Sequence, residues 1–388
     1  MTKKISILGS TGSVGRQALD VVEHHGYAVE LLSANGSVTA MEAQCRRYRP
    51  TVAAMYSDAA ARDLALRLCD TDIRVVGGHD ALLDAITSAR SDVTVNAISG
   101  AGGLLPSLAV IEKGERLALA NKETLVIAGE YVMERARYRG TQILPVDSEH
   151  CAIHQCIKDT PPTNIRRILL TASGGPYFGK TRDALAGVTR EDTLRHPTWA
   201  MGDRITVDSA TLMNKGFEVI EAAHLFSQDP SHIDVIVHRE SIIHSAVEYI
   251  DNTVLAQMAV PDMRACVQYA LDYPTRNPGV VSPLDLVAIG RLSFYAPDTE
   301  TFPLLSLASR ALSLGGGMGA VLNAADEVAV GSYLAGEISL LALMDTVVRV
   351  FEDSIDARSA SSLDELLAVD QHTREKTRRA ISLLKVKQ

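Results

Sequence analysis

Features that would assign this chain to a specialised class of protein are scarce in it. Its 388 residues include five cysteines, Cys45, Cys69, Cys151, Cys156 and Cys266, and no two of them form a Cys-x-x-Cys pair. An odd and scattered set of this kind argues against a disulfide framework and against a zinc ribbon. We therefore expect these cysteines to be reduced residues of the core.

Long hydrophobic runs and an excess of positive charge are also missing. No window reaches the roughly 18 uninterrupted apolar residues that a membrane span needs, and the first residues read as a strand that glycine soon interrupts rather than as a signal peptide. The formal net charge is -9, which disfavours nucleic acid as a partner. We expect a cytoplasmic protein that binds neither membrane nor nucleic acid, so any anionic ligand must meet a local positive site.

Residues 1–147 alternate short β-branched runs with helical stretches. The predicted strands cover residues 4–8, 29–34, 51–55, 73–76, 93–98 and 116–120. This alternation is typical of a doubly wound parallel sheet.

The remainder of the chain predicts a second sheet and a helical region. Strands at residues 165–171, 234–238, 245–250 and 254–258 indicate a separate mixed sheet, and prolines mark an irregular connection that includes an extended stretch at 285–292. Apolar residues at three-to-four spacing then predict helices at 304–314, 320–334, 340–351 and 363–384. The predicted fold class is α/β, with an N-terminal doubly wound domain (1–147), a central α/β domain (148–273), a linker (274–299) and a C-terminal helical bundle (300–388).

A glycine-rich turn follows the first predicted strand. Gly9, Gly12 and Gly15 are spaced as Gly-x-x-Gly-x-x-Gly at the start of an amphipathic helix, where bare backbone amides and the helix dipole can hold a pyrophosphate. The alternative is a structural tight turn. Its position between strand and helix favours a Rossmann-like dinucleotide-binding domain.

The end of the second strand indicates which dinucleotide is bound. The segment Ser33-Ala-Asn35-Gly36-Ser37 contains no Asp or Glu that could accept a hydrogen bond from a free ribose 2'-hydroxyl. Small polar donors suit a 2'-phosphate instead, which favours NADPH over NADH.

Polar turns also follow two later strands of this domain. Residues 96–103 form one, and the tripeptide Asn121-Lys122-Glu123 forms the other. Ligands collect at such carboxyl ends of parallel strands, so Lys122 is a candidate for the reacting centre. The competing interpretation is a solvated lysine after a buried strand.

Two carboxylates lie close together just before the central domain. Asp147 and Glu149 are two residues apart, and on an extended segment alternate side chains share one face. They could share a hard divalent cation such as magnesium or manganese, which prefers oxygen ligands. A zinc site made by His150, His154 and Cys151 is disfavoured because no further ligand lies nearby.

Residues 195–221 form the segment that is richest in candidate ligand-binding residues. Trp199, the only tryptophan, stands near Gly202 in a loop, which suits a mobile lid that excludes water from a ligand. Packing in the core is the competing interpretation for this tryptophan.

A strand and then a helix are expected after this loop, with Asp208 or Ser209 as the helix cap. On that helix Asn214, Lys215 and Glu218 lie near one face, so it could offer donors to a phosphate and a third carboxylate to the cation. The alternative is an exposed helix with one Lys-Glu pair. The glycine turn at residues 171–176 adds amides and a hydroxyl for the same anion.

Taken in order, these motifs resemble those of the 1-deoxy-D-xylulose 5-phosphate reductoisomerase family over essentially the whole chain. The matching motifs are Gly-Ser-Thr-Gly-Ser-Val-Gly (9–15), Asn-Lys-Glu (121–123), Val-Asp-Ser-Glu-His (146–150), Ser-Gly-Gly-Pro (173–176), His-Pro-Thr-Trp-Ala-Met-Gly (196–202) and the run from Val207 to Glu218. The resemblance implies a homodimer that uses NADPH and Mg²⁺ or Mn²⁺ to rearrange and reduce a sugar phosphate. The product would be 2-C-methyl-D-erythritol 4-phosphate, in the non-mevalonate route to isoprenoid precursors.

The resemblance also implies roles for individual residues. The metal ligands would be Asp147, Glu149 and Glu218. The phosphate would be held by Ser173, His196, Ser209, Asn214 and Lys215. Ser148 and Lys122 would contact the sugar, and Trp199 and Met201 would belong to the lid. The cofactor would be lined by Thr11, Gly12, Ser13, Val14, Gly36, Ser37, Asn121, Glu123 and Gly202.

Four positions depart from the family pattern. The turn at Asn35 lacks the lysine that often accompanies its glycine and asparagine, and Asp203 replaces a basic or neutral residue. Arg239 replaces the proline of a His-Pro-Gln or His-Pro-Glu run, and Asp326 replaces the second asparagine of an Asn-Ala-Ala-Asn-Glu motif. None of the four is a proposed metal or phosphate ligand, so we expect effects on affinity or assembly.

Two other functions remain open from the residues alone. A metal-independent NADPH dehydrogenase of another phosphorylated aldehyde needs the cofactor and phosphate sites but not three carboxylates. A catalytically silent protein that senses NADPH has little reason to keep Asp147, Glu149, Lys215 and Glu218 together. A metal requirement separates the reductoisomerase from both.

Overall fold

The computed structural model describes residues 2–195, 199 and 202–385, and its packing divides the chain into two compact units. The first unit comprises Met1–Thr124, Val132–Cys151 and Asp262–Ser282. The second unit comprises Leu125–Tyr131, Ala152–Pro261 and Pro283–Gln388. The division into four segments that the sequence suggested (1–147, 148–273, 274–299 and 300–388) remains a prediction.

Parallel strands form the centre of the first unit. They are β1 (Lys4–Leu8), β2 (Ala28–Ala34), β3 (Val52–Met55), β4 (Arg74–Gly77), β5 (Val93–Asn96), β6 (Arg116–Leu119) and β7 (Ile143–Pro145). In the described residues they make a seven-stranded sheet in the order β4-β3-β2-β1-β5-β6-β7, and each recorded pairing is parallel. The chain order reverses beside β1, so the loops after β1 and β5 flank the position where such sheets bind ligands.

The second unit contains a smaller sheet. Its strands are β8 (Ile165–Ala172), β9 (Ile233–Val237), β10 (Ile243–Tyr249) and β11 (Val254–Met258). Within the described residues the order is β11-β10-β8-β9; β8 pairs with β9 in parallel, and β10 pairs antiparallel with both neighbours. The sheet is therefore mixed, as predicted.

Helices connect the strands and make up most of the C-terminal part of the second unit. They are α1 (Ser13–His25), α2 (Val38–Tyr48), α3 (Asp58–Arg67), α4 (His79–Ser88), α5 (Leu104–Glu112), α6 (Glu123–Arg139), α7 (Ser148–Cys156), α8 (Arg190–Thr193), α9 (Asp203–Ala210), α10 (Met213–Phe226), α11 (Arg264–Asp272), α12 (Leu286–Ile289), α13 (Leu304–Leu314), α14 (Met318–Leu334), α15 (Leu340–Glu352) and α16 (Leu363–Lys385). No helix in the described part of the chain is both long and apolar enough to span a membrane.

Burial explains why these segments take these forms. The central strands β1 and β5 are buried on both faces, as expected for a parallel sheet covered by helices. Helix α1 buries one face through Ala18, Leu19 and Val22, and it ends at Gly26, whose positive φ of 67° suits glycine. In the second unit, α10 and α14 bury most of their residues in a core shared with α13 and α15.

The α/β fold class and the mixed second sheet are confirmed, but three local predictions were wrong and one strand was not predicted. Strand β7 was not predicted because it has only three residues. Residues 204–208 form part of α9 rather than a strand: Gly202 begins that helix, and Thr206 Oγ1 donates a hydrogen bond to the Gly202 carbonyl 2.9 Å away.

The other two errors concern the start of α10 and the stretch at 285–292. Asp208 and Ser209 lie inside α9 and do not cap α10. The residue at the cap position of α10 is Leu212, whose backbone is left-handed with φ of 60°. The stretch predicted as extended at 285–292 contains the single turn α12, because the Asp285 side chain accepts hydrogen bonds from the amides of Val287 and Ala288.

Candidate active site

The glycine turn after β1 has the geometry of a pyrophosphate site. Gly9 has a φ of 79°, and a β-carbon on it would lie 2.6 Å from the carbonyl oxygen of Ala97, so the turn passes close to the end of β5. A β-carbon on Gly15 would lie 2.2 Å from the Gly9 oxygen, which shows how tightly α1 begins against the turn. Gly12 precedes the helix without a side-chain cap. The amides at this helix start are therefore suited to an anion.

The end of β2 offers small, exposed groups. Asn35, Gly36 and Ser37 are all exposed, and Ser37 precedes α2 without using its hydroxyl to cap that helix. The hydroxyl is consequently available to a ligand at the N-terminus of α2.

Asn121 and Glu123 brace the loop that follows β5. Asn121 Nδ2 donates to the carbonyls of Ile98 (2.7 Å) and Gly100 (2.9 Å), and Glu123 Oε1 accepts from the Gly100 amide at 3.1 Å. Asn121 also donates to Glu123 Oε2 at 2.8 Å. Both side chains are buried, so they fix the shape of this loop.

Lys122 is paired with Asp147 in the first unit. Lys122 Nζ lies 2.6 Å from Asp147 Oδ2, at the ends of the neighbouring strands β6 and β7. Burial alone would raise the pKa of Asp147, but the charges of Lys122 and His150, together with hydrogen bonds from Glu149 and Lys122, lower that pKa well below its usual range. Asp147 is therefore ionised, as a ligand of a divalent cation must be.

Asp147 and Glu149 lie at a strand-to-helix turn rather than on one extended segment, which corrects the sequence-based argument. Strand β7 ends at Pro145, Glu149 is in the first turn of α7, and the two side chains are hydrogen bonded to each other. The buried Ser148 donates to Glu149 Oε2 at 2.6 Å. The turn thus gathers the oxygen ligands that a hard cation prefers.

The second unit gathers the remaining charged candidates on α10. Glu218 and Lys215 are almost fully buried and make a direct ion pair, and Asn214 Nδ2 donates to Glu218 Oε1 at 2.5 Å. An ion pair at this depth is costly to desolvate and rarely serves stability alone. The alternative of an exposed helix with one Lys-Glu pair is therefore wrong.

A left-handed glycine turn follows β8 in the same unit. Gly174 and Gly175 have φ values of 78° and 65°, a conformation that glycine adopts without strain. The Ser173 hydroxyl accepts a hydrogen bond from the Gly175 amide at 3.2 Å, and a β-carbon on Gly175 would lie 2.6 Å from the Ser209 carbonyl oxygen. Ser173 and Ser209 therefore both lie next to Gly175.

The loop between α8 and α9 carries the proposed lid. His196 and Met201 lie outside the described residues, whereas Trp199 is described and Gly202 caps α9. The Trp199 ring lies 6.0 Å from the ring of His244. Burial lowers the pKa of His244 to about 4; hydrogen bonds to the backbone of Ala259 and Val260 oppose this shift, and the charges of His238 and Lys215 add to it. This imidazole is therefore neutral at pH 7.

Two residues of this region were not predicted from the sequence. His244 is a buried polar residue on β10, and only its interruption of the apolar pattern could have singled it out. Arg239 was noticed as a departure, but its contacts with the glycine turn are visible only in the structure. The cavity of about 570 Å³ beside β9, lined by residues that include Ile233, Tyr295 and Ser309, contains none of the predicted site residues.

Comparisons with known proteins agree over the whole chain. The family model of 1-deoxy-D-xylulose 5-phosphate reductoisomerase matches residues 5–129, the model of its C-terminal domain matches 143–226, and that of the DXP reductoisomerase C-terminal domain matches 258–376. A 1-deoxy-D-xylulose 5-phosphate reductoisomerase from Symbiobacterium thermophilum is 50% identical over 384 residues, covering 97% of this chain and 98% of that protein. A reductoisomerase of the same description from Desulfitobacterium hafniense is 46% identical over 381 residues, covering 98% and 99%.

Solved structures show the same likeness. The 1-deoxy-D-xylulose 5-phosphate reductoisomerase of Zymomonas mobilis in complex with NADPH has a TM-score of 0.91 at 38% identity, covering 98% of this chain and 99% of that one. A DOX-P reductoisomerase in complex with NADPH, fosmidomycin and magnesium has a TM-score of 0.95 at 36% identity, covering 99% of both chains.

Proposed function

The chain belongs to the 1-deoxy-D-xylulose 5-phosphate reductoisomerase family, and from this premise we propose how its residues hold the substrate, the cation and the cofactor. Its reaction is the NADPH-dependent conversion of 1-deoxy-D-xylulose 5-phosphate to 2-C-methyl-D-erythritol 4-phosphate, with a divalent cation. This reaction is part of the non-mevalonate route to isoprenoid precursors. The observation that carries the conclusion is 50% identity over 97% of the chain in a sequence that keeps all three candidate metal carboxylates.

Asp147, Glu149 and Glu218 are proposed as the cation ligands. Their oxygen donors fit magnesium or manganese, and the ionised state of Asp147 supports that fit. When bound, the cation polarises the substrate oxygens and NADPH provides the hydride. Lys122 holds Asp147 in the anionic form through a contact of 2.6 Å, while Ser148 orients Glu149 through a hydrogen bond of 2.6 Å.

The phosphate of the substrate is proposed to lie in the second unit. Lys215 supplies the positive charge, and Asn214, Ser173 and Ser209 supply neutral donors; His196 is added by its position in the family motif. A phosphate dianion favours such a combination of ammonium and hydrogen-bond donors. The contact of Lys215 with Glu218 joins the proposed phosphate site to a proposed cation ligand. Trp199 and Met201 then cover the substrate and exclude water.

NADPH is proposed to bind across the carboxyl ends of the strands of the first sheet. The pyrophosphate lies on the amides of the turn after β1, and the 2'-phosphate lies near the exposed Ser37. The further residues proposed for the cofactor are Thr11, Gly12, Ser13, Val14, Gly36, Asn121, Glu123 and Gly202.

A homodimer is proposed from apolar side chains exposed in the second unit. On and beside the edge strand β11, Ile250, Val254 and Leu255 are at least half exposed, and Val287 on α12 is 92% exposed. Such surface is unfavourable in water unless a partner covers it. Light scattering coupled to gel filtration should give twice the chain mass, and Leu255→Lys with Val287→Asp should shift the enzyme toward monomer. A single-chain mass for the unmodified enzyme would refute the dimer.

A cytoplasmic location is also proposed. The described cysteines are free thiols, and thiols stay reduced in that compartment.

NADPH oxidation with 1-deoxy-D-xylulose 5-phosphate tests the reaction. The assay follows absorbance with magnesium, with manganese and with excess chelator. We expect oxidation that both metals support and that the chelator abolishes. Oxidation of another phosphorylated aldehyde with chelator present would instead favour a metal-independent dehydrogenase, and no oxidation by folded, NADPH-binding protein would favour a sensor.

A further inference from the structure

Arg239 connects two loops of the second unit. It lies in the connection between β9 and β10, and its Nη1 donates hydrogen bonds to the carbonyl oxygens of Ser173 at 3.2 Å and Gly175 at 2.9 Å. Its guanidinium also lies 5.0 Å from the ring centroid of Phe178. One side chain therefore holds the glycine turn at two carbonyls, with an aromatic ring against its guanidinium.

These bonds determine how the glycine turn presents its other polar groups. A trans peptide points its N–H opposite to its C=O, so the peptide that gives the Ser173 carbonyl to Arg239 turns the Gly174 amide away from the guanidinium. Glycines in the left-handed region have much backbone freedom to lose on ordering. The two hydrogen bonds from Arg239 therefore restrict the backbone freedom of two successive glycines.

The glycine turn held by Arg239 also contacts both serines proposed for the phosphate. The Gly175 amide donates to the Ser173 hydroxyl at 3.2 Å, which fixes that side chain. The Gly175 backbone also touches Ser209, since a β-carbon there would lie 2.6 Å from the Ser209 carbonyl oxygen. The position of Gly175 is therefore coupled to the Ser173 hydroxyl through a hydrogen bond and to the Ser209 backbone through close packing.

Arg239 also brings positive charge to this turn. Within the part of the chain that the structure describes, no carboxylate forms an ion pair with its guanidinium, in contrast to Arg167, which pairs with Asp234 and Glu248. An arginine held by neutral carbonyls keeps its field available to a nearby anion. Arg239 occupies the position where the family pattern has proline, which has no side-chain donor.

We propose that Arg239 is a positioning residue of the substrate phosphate site: it orders the Ser173–Gly175 turn and biases it toward a phosphate dianion. The inference rests on the proposed phosphate site and deepens it. Arg239 acts through the turn, so its loss weakens ground-state phosphate binding and leaves the rearrangement and hydride transfer at the other end of the substrate unchanged.

The test compares three variants in the full-length enzyme with NADPH and magnesium. Arg239→Met removes the donors and the charge, Arg239→Lys keeps the charge without the planar fork, and Arg182→Met is the matched control because it removes an equal charge that pairs with Asp345 elsewhere in the second unit. The readouts are KM and kcat for the substrate, KM for NADPH, and the inhibition constant of inorganic phosphate as a competitive probe.

For Arg239→Met we expect KM for the substrate and the inhibition constant of phosphate to rise together about tenfold, equivalent to about 1.4 kcal/mol, with kcat and the NADPH constant within about twofold. Arg239→Lys should recover only part of the loss, and Arg182→Met should match the unmodified enzyme. A fall in kcat with unchanged KM, or an effect no larger than that of Arg182→Met, overturns the proposal.

Lys215→Gln measured in parallel separates this inference from the proposed function. If Lys215→Gln leaves phosphate inhibition unchanged, the phosphate site itself is wrong and the role of Arg239 falls with it. If Lys215→Gln weakens phosphate inhibition and Arg239→Met does not, only the role of Arg239 falls. Should Arg239→Met fail to fold, Arg239→Lys decides: a KM raised at least threefold supports the proposal, and an unchanged KM overturns it.

Discussion

The carboxyl groups of Asp326 and Asp208 lie close together in the interior of the second unit. Asp326, on α14, is fully buried, and Asp208, on α9, is nearly so. Burial raises the pKa of Asp326 well above its usual range, the charges of Asp208 and Glu327 raise it further, and Arg204 opposes the rise. Burial and the neighbouring negative charges therefore favour the protonated form of Asp326. This pair connects α9, the helix that follows the proposed lid, with α14 in the core of the unit.

Asp326→Asn should stabilise the enzyme increasingly as pH rises. A carboxyl whose pKa is higher in the folded than in the unfolded chain contributes full stability below the unfolded value, about 4, and loses it as pH rises through the folded value. The asparagine amide can donate to Asp208 without this loss. The midpoint of thermal unfolding at pH 5, 7 and 9 measures the effect, with Asp364→Asn on an exposed helix face as control. A difference from the unmodified enzyme that is constant over this range would contradict the raised pKa of Asp326.

Glu218→Gln should abolish turnover while NADPH binding persists. The change removes a proposed cation ligand and leaves the buried ammonium of Lys215 without its carboxylate partner. We expect kcat to fall by roughly 10³-fold or more, since several kcal/mol of charge stabilisation are lost, and the dissociation constant for NADPH to change less than twofold. Glu352→Gln, which breaks a surface pair with Arg310, is the control. Ordinary turnover by Glu218→Gln at low magnesium would refute the metal assignment.

The sequence was most informative where a motif and its structural context coincide. The glycine turn was placed correctly because β1, which runs from Lys4 to Leu8, ends directly before it. Burial of both faces made the parallel strands visible as apolar runs. The polar face of α10 was recognisable because Asn214, Lys215 and Glu218 are separated by helical spacings that bring them to one side.

The errors arose where local chemistry competes with propensity. Ile205, Thr206 and Val207 favour a strand, but the start at Gly202 and the packing of Val207 in the core produce α9 instead. Tertiary context overrides weak local preference in such segments. Arg239 could not be assigned because its partners lie 64 and 66 residues earlier in the chain, and no spacing rule connects such positions.

Trp199→Ala should weaken substrate binding. The indole lies against the neutral, buried His244, so removing it takes apolar cover from the proposed phosphate region. We expect KM to rise about tenfold with a smaller change in kcat, since burial of an aromatic side chain contributes about 1.5–3 kcal/mol. Trp199→Phe should restore most of the affinity. Because Trp199 is the only tryptophan, its fluorescence in the unmodified enzyme should respond to substrate. An unaltered KM in Trp199→Ala would mean that the ring only packs against the protein and does not cover the substrate.

Ser37→Asp should shift the enzyme from NADPH toward NADH. Ser37 precedes α2 without capping it, and aspartate is a favoured residue at that position, so the change should not disturb the fold. Its carboxylate would repel a 2'-phosphate and accept a hydrogen bond from the free 2'-hydroxyl of NADH. We expect KM for NADPH to rise at least tenfold, about 1.4 kcal/mol, and KM for NADH to fall. Ser339→Asp is the matched control, because Ser339 caps α15 in the second unit. Equal changes for both cofactors would place the 2'-phosphate elsewhere, whereas opposite changes would locate it at the N-terminus of α2.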